Sequence, residues 1–194
     1  MVRIGLMTAI REDITIPVEA AMKRVASNLG PMYLASYLEK MGVEVEVIIK
    51  DRLEDLAAYS PDIVGISAVT ENIEHAKALA ARARMLWNPK IVLGGAHLTA
   101  LPKFLPKEFD VGVVGEGEVT FCDLVQLYLR ERDFPPESLK DIPGVVFHTP
   151  QGVFQAPVRK GLDPLDLIPP PDRKKYVQKT GLTHMMTSRG CPYT

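Results

Sequence analysis

Three short segments place small and polar residues where a flat ligand needs them. The first is Ser67-Ala68-Val69-Thr70, one hydroxyl followed by small side chains. A serine there offers a hydrogen bond to a ring nitrogen, and its neighbours leave room for the ring. The same serine also suits nearby backbone, and Thr70 suits the cap of a following helix. The second is Gly94-Gly95-Ala96-His97. Paired glycines let a ligand approach the backbone and permit positive φ, but an ordinary tight turn uses them too. His97 reads either as a ligand contact or as a polar surface group. The third is Gly115-Glu116-Gly117-Glu118. Its glycines open a loop, and Glu118 favours a helix start through the dipole. Glu116 would repel phosphate, which argues against a nucleotide held by its charge. Gly115-x-Gly117 lacks the third glycine of a dinucleotide fingerprint. The segment beginning Thr8-Ala9-Ile10 contains no glycine-rich phosphate cradle.

Thiols and imidazoles are sparse. Cys122 and Cys191 lie far apart and suggest no disulfide framework. With His75, His97, His148 and His184 scattered, they make no self-contained zinc or iron–sulfur site. Cys122, in an apolar helical stretch, reads as a small core residue. The expected compartment is the reducing cytoplasm. The formal net charge of -1 gives no basic field for a nucleic-acid backbone. No apolar run approaches the roughly 20 residues of a membrane helix, and the first residues do not resemble a signal peptide.

The elements that must position these segments alternate. Strands are predicted at Val2–Met7, Val43–Ile49, Asp62–Ser67, Lys90–Leu93 and Val111–Val114. Helices are predicted at Gly30–Met41, capped by Asn28 and stopped by Gly42, and at Asp51–Tyr59, Ile73–Leu86 after Asn72, and Glu118–Leu129. This pattern predicts an α/β fold, a doubly wound, parallel, five-stranded flavodoxin- or Rossmann-like sheet in the order 2-1-3-4-5, with helices on both faces. Ligands in such folds sit beyond the carboxyl ends of the strands, here after Met7, Ile66, Leu93 and Val114. The three segments fall at three of those four ends.

Beyond Arg130 the pattern changes. Gly144–His148 and Val153–Pro157 read as a hairpin turning at residues 149–152. Pro157–Lys175 reads as an extended, proline-rich linker rather than a packed element. Thr183–Thr187 reads as one more strand leading into Ser188-Arg189-Gly190-Cys191. The expected organisation is a ligand-binding domain at 1–140, a hairpin and linker at 141–178, and the truncated beginning of another domain at 179–194.

The runs DIVGISAVTENI, VLGGAHLTALP, VVGEGEVTF and DIPGVVF, preceded by NLGPMYLASYLEKMGVEVEVI, resemble the cobalamin-binding domains fused ahead of radical S-adenosylmethionine domains. The tail TSRGCPYT is similar to the entry of a radical S-adenosylmethionine domain, whose CxxxCxxC motif binds a 4Fe–4S cluster. The resemblance implies cobalamin as ligand, with Thr8, Ala9, Ile10, Ser67, Ala68, Val69, Thr70, Gly94, Gly95, Ala96, His97, Gly115, Glu116 and Gly117 around it. It makes Cys191 the first cluster ligand of an incomplete motif. Ser67-Ala68-Val69 and Gly94-Gly95 are similar to the family's Ser-x-Leu and Gly-Gly parts, with Val69 in the Leu place. The Asp-x-His-x-x-Gly part is missing from the first loop, which implies base-off cobalamin with no histidine on cobalt. The longer parent enzyme would use S-adenosylmethionine, the cluster and cobalamin for methyl transfer or cyclisation, and this chain alone would be inactive. The partner implied is the radical S-adenosylmethionine domain.

Other readings of the same residues are a flavodoxin-like ligand-binding or signalling domain without cobalamin, a corrinoid carrier, and a family member that has lost the cofactor. A receiver domain requires a phosphorylatable Asp after strand three, where this chain has Ser67-Ala68. A carrier usually has the first-loop histidine and an upstream helical bundle, and this sequence has neither.

Overall fold

Successive residues of the first strand face two different cores. A computed structural model describes residues 1–10, 29–176, 186, 188 and 189. In β1 (Val2–Thr8), Val2, Ile4 and Leu6 enter one apolar cluster and Met7 enters the other. A strand buried on both sides is what a parallel sheet between helix layers requires.

The parallel part of the sheet comprises β1, β2 (Val45–Ile49), β3 (Ile63–Ser67), β4 (Lys90–Gly94) and β5 (Val111–Val113). Their order is β2-β1-β3-β4-β5, as expected. The strand count differs from expectation, because β6 (Val145–Thr149) pairs antiparallel with β5 and β7 (Gly152–Gln155) pairs antiparallel with β6. The hairpin read from sequence therefore extends the same sheet to seven strands. The buried side chains of Val145, Val146 and Phe147 belong to the cores on its two faces.

Helices α1 (Leu29–Lys40), α2 (Leu53–Ala57), α3 (Ile73–Leu86), α4 (Ala96–Ala100) and α5 (Gly117–Glu131) cover both faces. Tyr37 and Leu38 of α1 share a core with Phe121, Leu124 and Val125 of α5. Leu53 and Leu56 of α2, Ala76, Leu79, Ala80 and Ala83 of α3 and Leu98 of α4 share the opposite one. Gly42 ends the α1 turn at φ 66, the left-handed stop expected of it. Asn72 precedes α3 without a side-chain capping bond, because the chain enters that helix through a 3-10 turn over Thr70–Asn72. The expected cap Asn28 lies outside the described residues, as does the expected strand at 183–187 apart from Met186. A short α6 (Pro136–Leu139) leads into β6.

The proline-rich segment is extended but not unpacked, which corrects the expectation of a bare linker. The Arg159 guanidinium pairs with Asp123 on α5 and donates through Nε to Thr120 Oγ1 at 2.9 Å. Lys40 Nζ on α1 donates to the Leu167 carbonyl at 2.7 Å, and Ile168 is buried. The Asp172 amide, just before α7 (Arg173–Tyr176), donates to Ser36 Oγ at 3.0 Å. Prolines remove backbone donors but leave carbonyls and flanking amides to be satisfied; α1 supplies partners for the Leu167 carbonyl and the Asp172 amide, and α5 holds the Arg159 side chain.

Candidate functional site

The parallel register sets the strand ends level. Thr8 pairs with Ser67, and Ser67 pairs with Gly94. The ladder continues into the loops. The Ala9 amide donates to the Ser67 carbonyl at 2.9 Å, and the Ala68 amide donates to the Gly94 carbonyl at 3.0 Å. Gly95 sits at φ +100, in the region that favours glycine, directly over this crossing. Its neighbour α4 carries Thr99, whose hydroxyl donates to the Gly95 carbonyl at 3.0 Å and accepts from the Gly115 amide at 3.0 Å. One hydroxyl thus ties both glycine loops together.

These loops form the rim of a cavity of about 680 Å³ on the α1–α5 side of the sheet. Its floor is Leu6 on β1, Gly65 on β3 and Val92 on β4, and its walls are Pro31 and Leu34 on α1 and Phe121 on α5. Gly65 leaves the floor low, since a Cβ there would stand 2.7 Å from Leu6 Cδ2 and 3.7 Å from the Phe121 ring. At the rim, a Cβ on Gly94 or Gly115 would meet no heavy atom within 4 Å. Those two glycines border open space, whereas Gly95 is enclosed by backbone.

Seven of the residues expected at a ligand line this cavity, namely Ser67, Gly94, Gly95, Ala96, Gly115, Glu116 and Gly117. The others do not line it. Ala9 and Ala68 are buried within the loop crossing, and Thr8 and Ile10 flank Ala9 away from the lining. Val69, in the place of the family's leucine, is 47% exposed and outside the cavity. His97 is not the polar surface group considered from sequence. It is buried in α4, and its Nδ1 lies 3.2 Å from Thr70 Oγ1. Cys191 lies outside the described residues. Sequence reasoning missed Gly65 and the whole α1 wall. An isolated glycine inside an apolar strand signals close approach by another group, so Gly65 was legible. The wall residues of α1 carry no such signal.

Charge at the site is concentrated at one edge of the cavity. Glu118, in the first turn of α5, pairs with Arg189 at 2.7 Å, with both side chains largely buried. The Arg189 guanidinium lies over the Tyr33 ring, 4.6 Å from its centroid. Elsewhere the lining is mainly apolar, with a few hydroxyl groups, those of Ser67 and Thr99 among them, and exposed loop backbone to orient a ligand, the usual makeup of a small-molecule site. Behind the α5 wall, burial pushes the Cys122 thiol up to about 11, with the Asp123 carboxylate adding to the effect. Among the described residues, no group of three His, Cys, Asp or Glu side chains gathers as a metal site, and no helix is long and apolar enough to cross a membrane.

A family model for the B12 binding domain matches residues 17–125. An uncharacterized methyltransferase of Pyrococcus horikoshii is 32% identical over 199 residues, covering 91% of this chain and 42% of that protein. The cytidylyl-2-hydroxyethylphosphonate methyltransferase of Streptomyces wedmorensis is 25% identical over 234 residues, covering 88% of this chain and 43% of that protein. The chain therefore spans less than half the length of these curated relatives. Among solved structures, the radical S-adenosylmethionine methyltransferase TsrM of Kitasatospora setae, with cobalamin and a 4Fe–4S cluster bound, shares the fold. That match has a TM-score of 0.61 at 21% identity and covers 94% of this chain and 36% of that one. With the family model covering more than half of its length, and with the doubly wound sheet and its open glycine rim in place, the chain belongs to the B12-binding domain family.

Proposed function

We propose that this domain binds cobalamin with the nucleotide tail in the cavity above Gly65 and the cofactor's own base detached from cobalt. The observation that carries this reading is the slot itself. Its volume of about 680 Å³ falls within the ~300–1,000 Å³ typical of small-molecule sites. Its rim glycines, Gly94 and Gly115, leave space that side chains would fill. The Ser67 hydroxyl would offer the tail a hydrogen bond, and Leu6, Val92 and Phe121 would cover its apolar faces.

Among the described residues, no histidine lines the cavity. Residues 8–16 contain none. His75 lies on α3, after β3, and His97 faces Thr70 outside the cavity lining. Axial-ligand identity tunes a metal cofactor's reactivity, so a missing imidazole changes what the bound cofactor does.

In the longer parent, cobalamin would supply methyl-group transfer, or take part in cyclisation or electron transfer. The methyltransferase names of the relatives support the first. Cys191 would begin the CxxxCxxC set of a 4Fe–4S cluster used with S-adenosylmethionine. One thiolate cannot hold such a cluster, so the 194-residue chain would bind cobalamin without turnover.

The test is incubation with hydroxocobalamin, gel filtration and a visible spectrum of the protein peak. Retained colour without a histidine–cobalt signature is the expected result. A colourless peak would overturn the reading in favour of a flavodoxin-like domain that does not bind cobalamin, and a histidine signature would overturn the ligand assignment alone.

A further inference from the structure

The cavity floor is a row of residues set by strand register. Leu6 pairs with Gly65, and Gly65 pairs with Val92, so the three stand side by side across β1, β3 and β4. Side chains on one face of a strand recur at every second residue. The row that holds Ser67 and Gly94 therefore lies on the same face, about 6.6 Å nearer the strand ends. A fused two-ring base spans a comparable length. With its near edge at the Ser67 hydroxyl, such a base rests its far edge on Leu6, Gly65 and Val92.

That row offers the far edge no hydrogen bond. Gly65 has no side chain, and those of Leu6 and Val92 are hydrocarbon. The backbone of β3 is engaged by ladders to β1 on one side and β4 on the other. Phe121 closes the floor from α5, while the paired charges of Glu118 and Arg189 belong to the first turn of that helix, about 4.5 Å ahead of Phe121 along its axis. An amino group set on this floor would lose its bonds to water and find no partner, whereas methyl groups gain by leaving water. The floor height depends on Gly65. A Cβ there would stand 2.7 Å from Leu6 Cδ2, so the glycine is what lets Leu6 lie across the strand.

We propose that the Leu6–Gly65–Val92 row makes the site selective for the base carried by the corrinoid tail. A benzimidazole with methyl groups on its far edge is accepted, and an adenine base, with an exocyclic amine, is rejected. Leu6, Gly65 and Val92 are then specificity-determining residues. The inference rests on the reading of this cavity as the seat of the cobalamin tail.

The experiment is equilibrium dialysis of the 194-residue chain with three corrinoids that differ only in the base: cobalamin, its adenine analogue and its unmethylated benzimidazole analogue. Cobalamin should bind at least about tenfold tighter than the adenine analogue, the effect of one buried polar group left unpartnered. Equal affinities, or a preference for adenine, would overturn the selectivity and leave the cobalamin site standing. Absence of binding by all three would instead remove the cobalamin reading, and the inference with it. Gly65→Ala should weaken cobalamin several-fold more than the unmethylated analogue, because a raised floor meets the methyl groups first. The strength of each cobalt–base bond belongs to the ligand and cancels between variants. Equal losses for the two ligands would overturn the role of Gly65. If Gly65→Ala does not fold, Val92→Thr, which sets a hydroxyl on the floor, should narrow the ratio between cobalamin and the adenine analogue several-fold. An unchanged ratio would overturn the role of the row.

Discussion

The Ala68 backbone passes so close to Gly95 that a Cβ there would stand 2.6 Å from the Ala68 carbonyl oxygen and 2.8 Å from its nitrogen. Both atoms are held by the strand ladder, since the Ala68 amide bonds to the Gly94 carbonyl and its carbonyl accepts from the His97 amide. Neither can move aside cheaply. Gly95→Ala adds this clash to a φ of +100. It should destabilise the domain by about 1–3 kcal/mol or more, read as a lower urea midpoint at unchanged slope. Gly94→Ala, whose Cβ meets nothing within 4 Å, should shift stability by no more than about 0.5 kcal/mol.

The same contrast separates fold from ligand binding. Gly94→Leu points a branched side chain into the space that the rim leaves open, while Gly94 itself needs no positive φ. The expected outcome is an unchanged melting temperature with cobalamin affinity weakened by at least about tenfold, or ~1.4 kcal/mol. Equilibrium dialysis with hydroxocobalamin measures it. Full affinity in this variant would place the tail elsewhere.

Much of this arrangement could be read from local pattern. The α3 limits, Ile73–Leu86, emerge because Ala76, Leu79, Ala80 and Ala83 repeat at helical spacing and all face one core. The three small-residue strand ends, at Ser67-Ala68, Gly94-Gly95 and Gly115–Gly117, were legible because a strand followed by small residues is a local signal. The five-residue α4 was not, because Ala96–Ala100 is too short to show a period and buries only His97 and Leu98. Antiparallel pairing of β6 on β5 is tertiary information, and no composition around Val145 announces which edge it joins. The α1 wall was hidden for the same reason. Pro31 and Leu34 read as helix residues like any others, and only packing against α5 gives them a cavity to line.

Thr99 offers a way to loosen the rim without altering its shape. Its exposed hydroxyl bridges the Gly95 carbonyl and the Gly115 amide. Thr99→Val keeps the side-chain volume and removes both bonds, at a cost of about 1 kcal/mol. Hydrogen exchange should show the Gly115 amide accelerating while amides in β3 and β4 hold their protection. Unchanged exchange at Gly115 would mean that the two loops are held in register by something other than this hydroxyl.

Cys122 gives a pH-dependent test of the core behind the cavity wall. It is 3% exposed on α5, and burial raises its thiol to about 11. An unfolded chain releases the same proton near the ordinary value of about 8.5. Below that value the thiol is protonated in both states and contributes no pH dependence. Between the two values the unfolded state binds fewer protons, so unfolding free energy falls as pH rises. Urea midpoints of a Cys191→Ser chain should therefore decline from pH 8.5 to 11 more steeply than those of the same chain carrying Cys122→Ala. At pH 8 the thiol should react with a disulfide reagent only once urea has unfolded the domain. Rapid labelling of native Cys122 would show that the α5 face opens more readily than its burial implies.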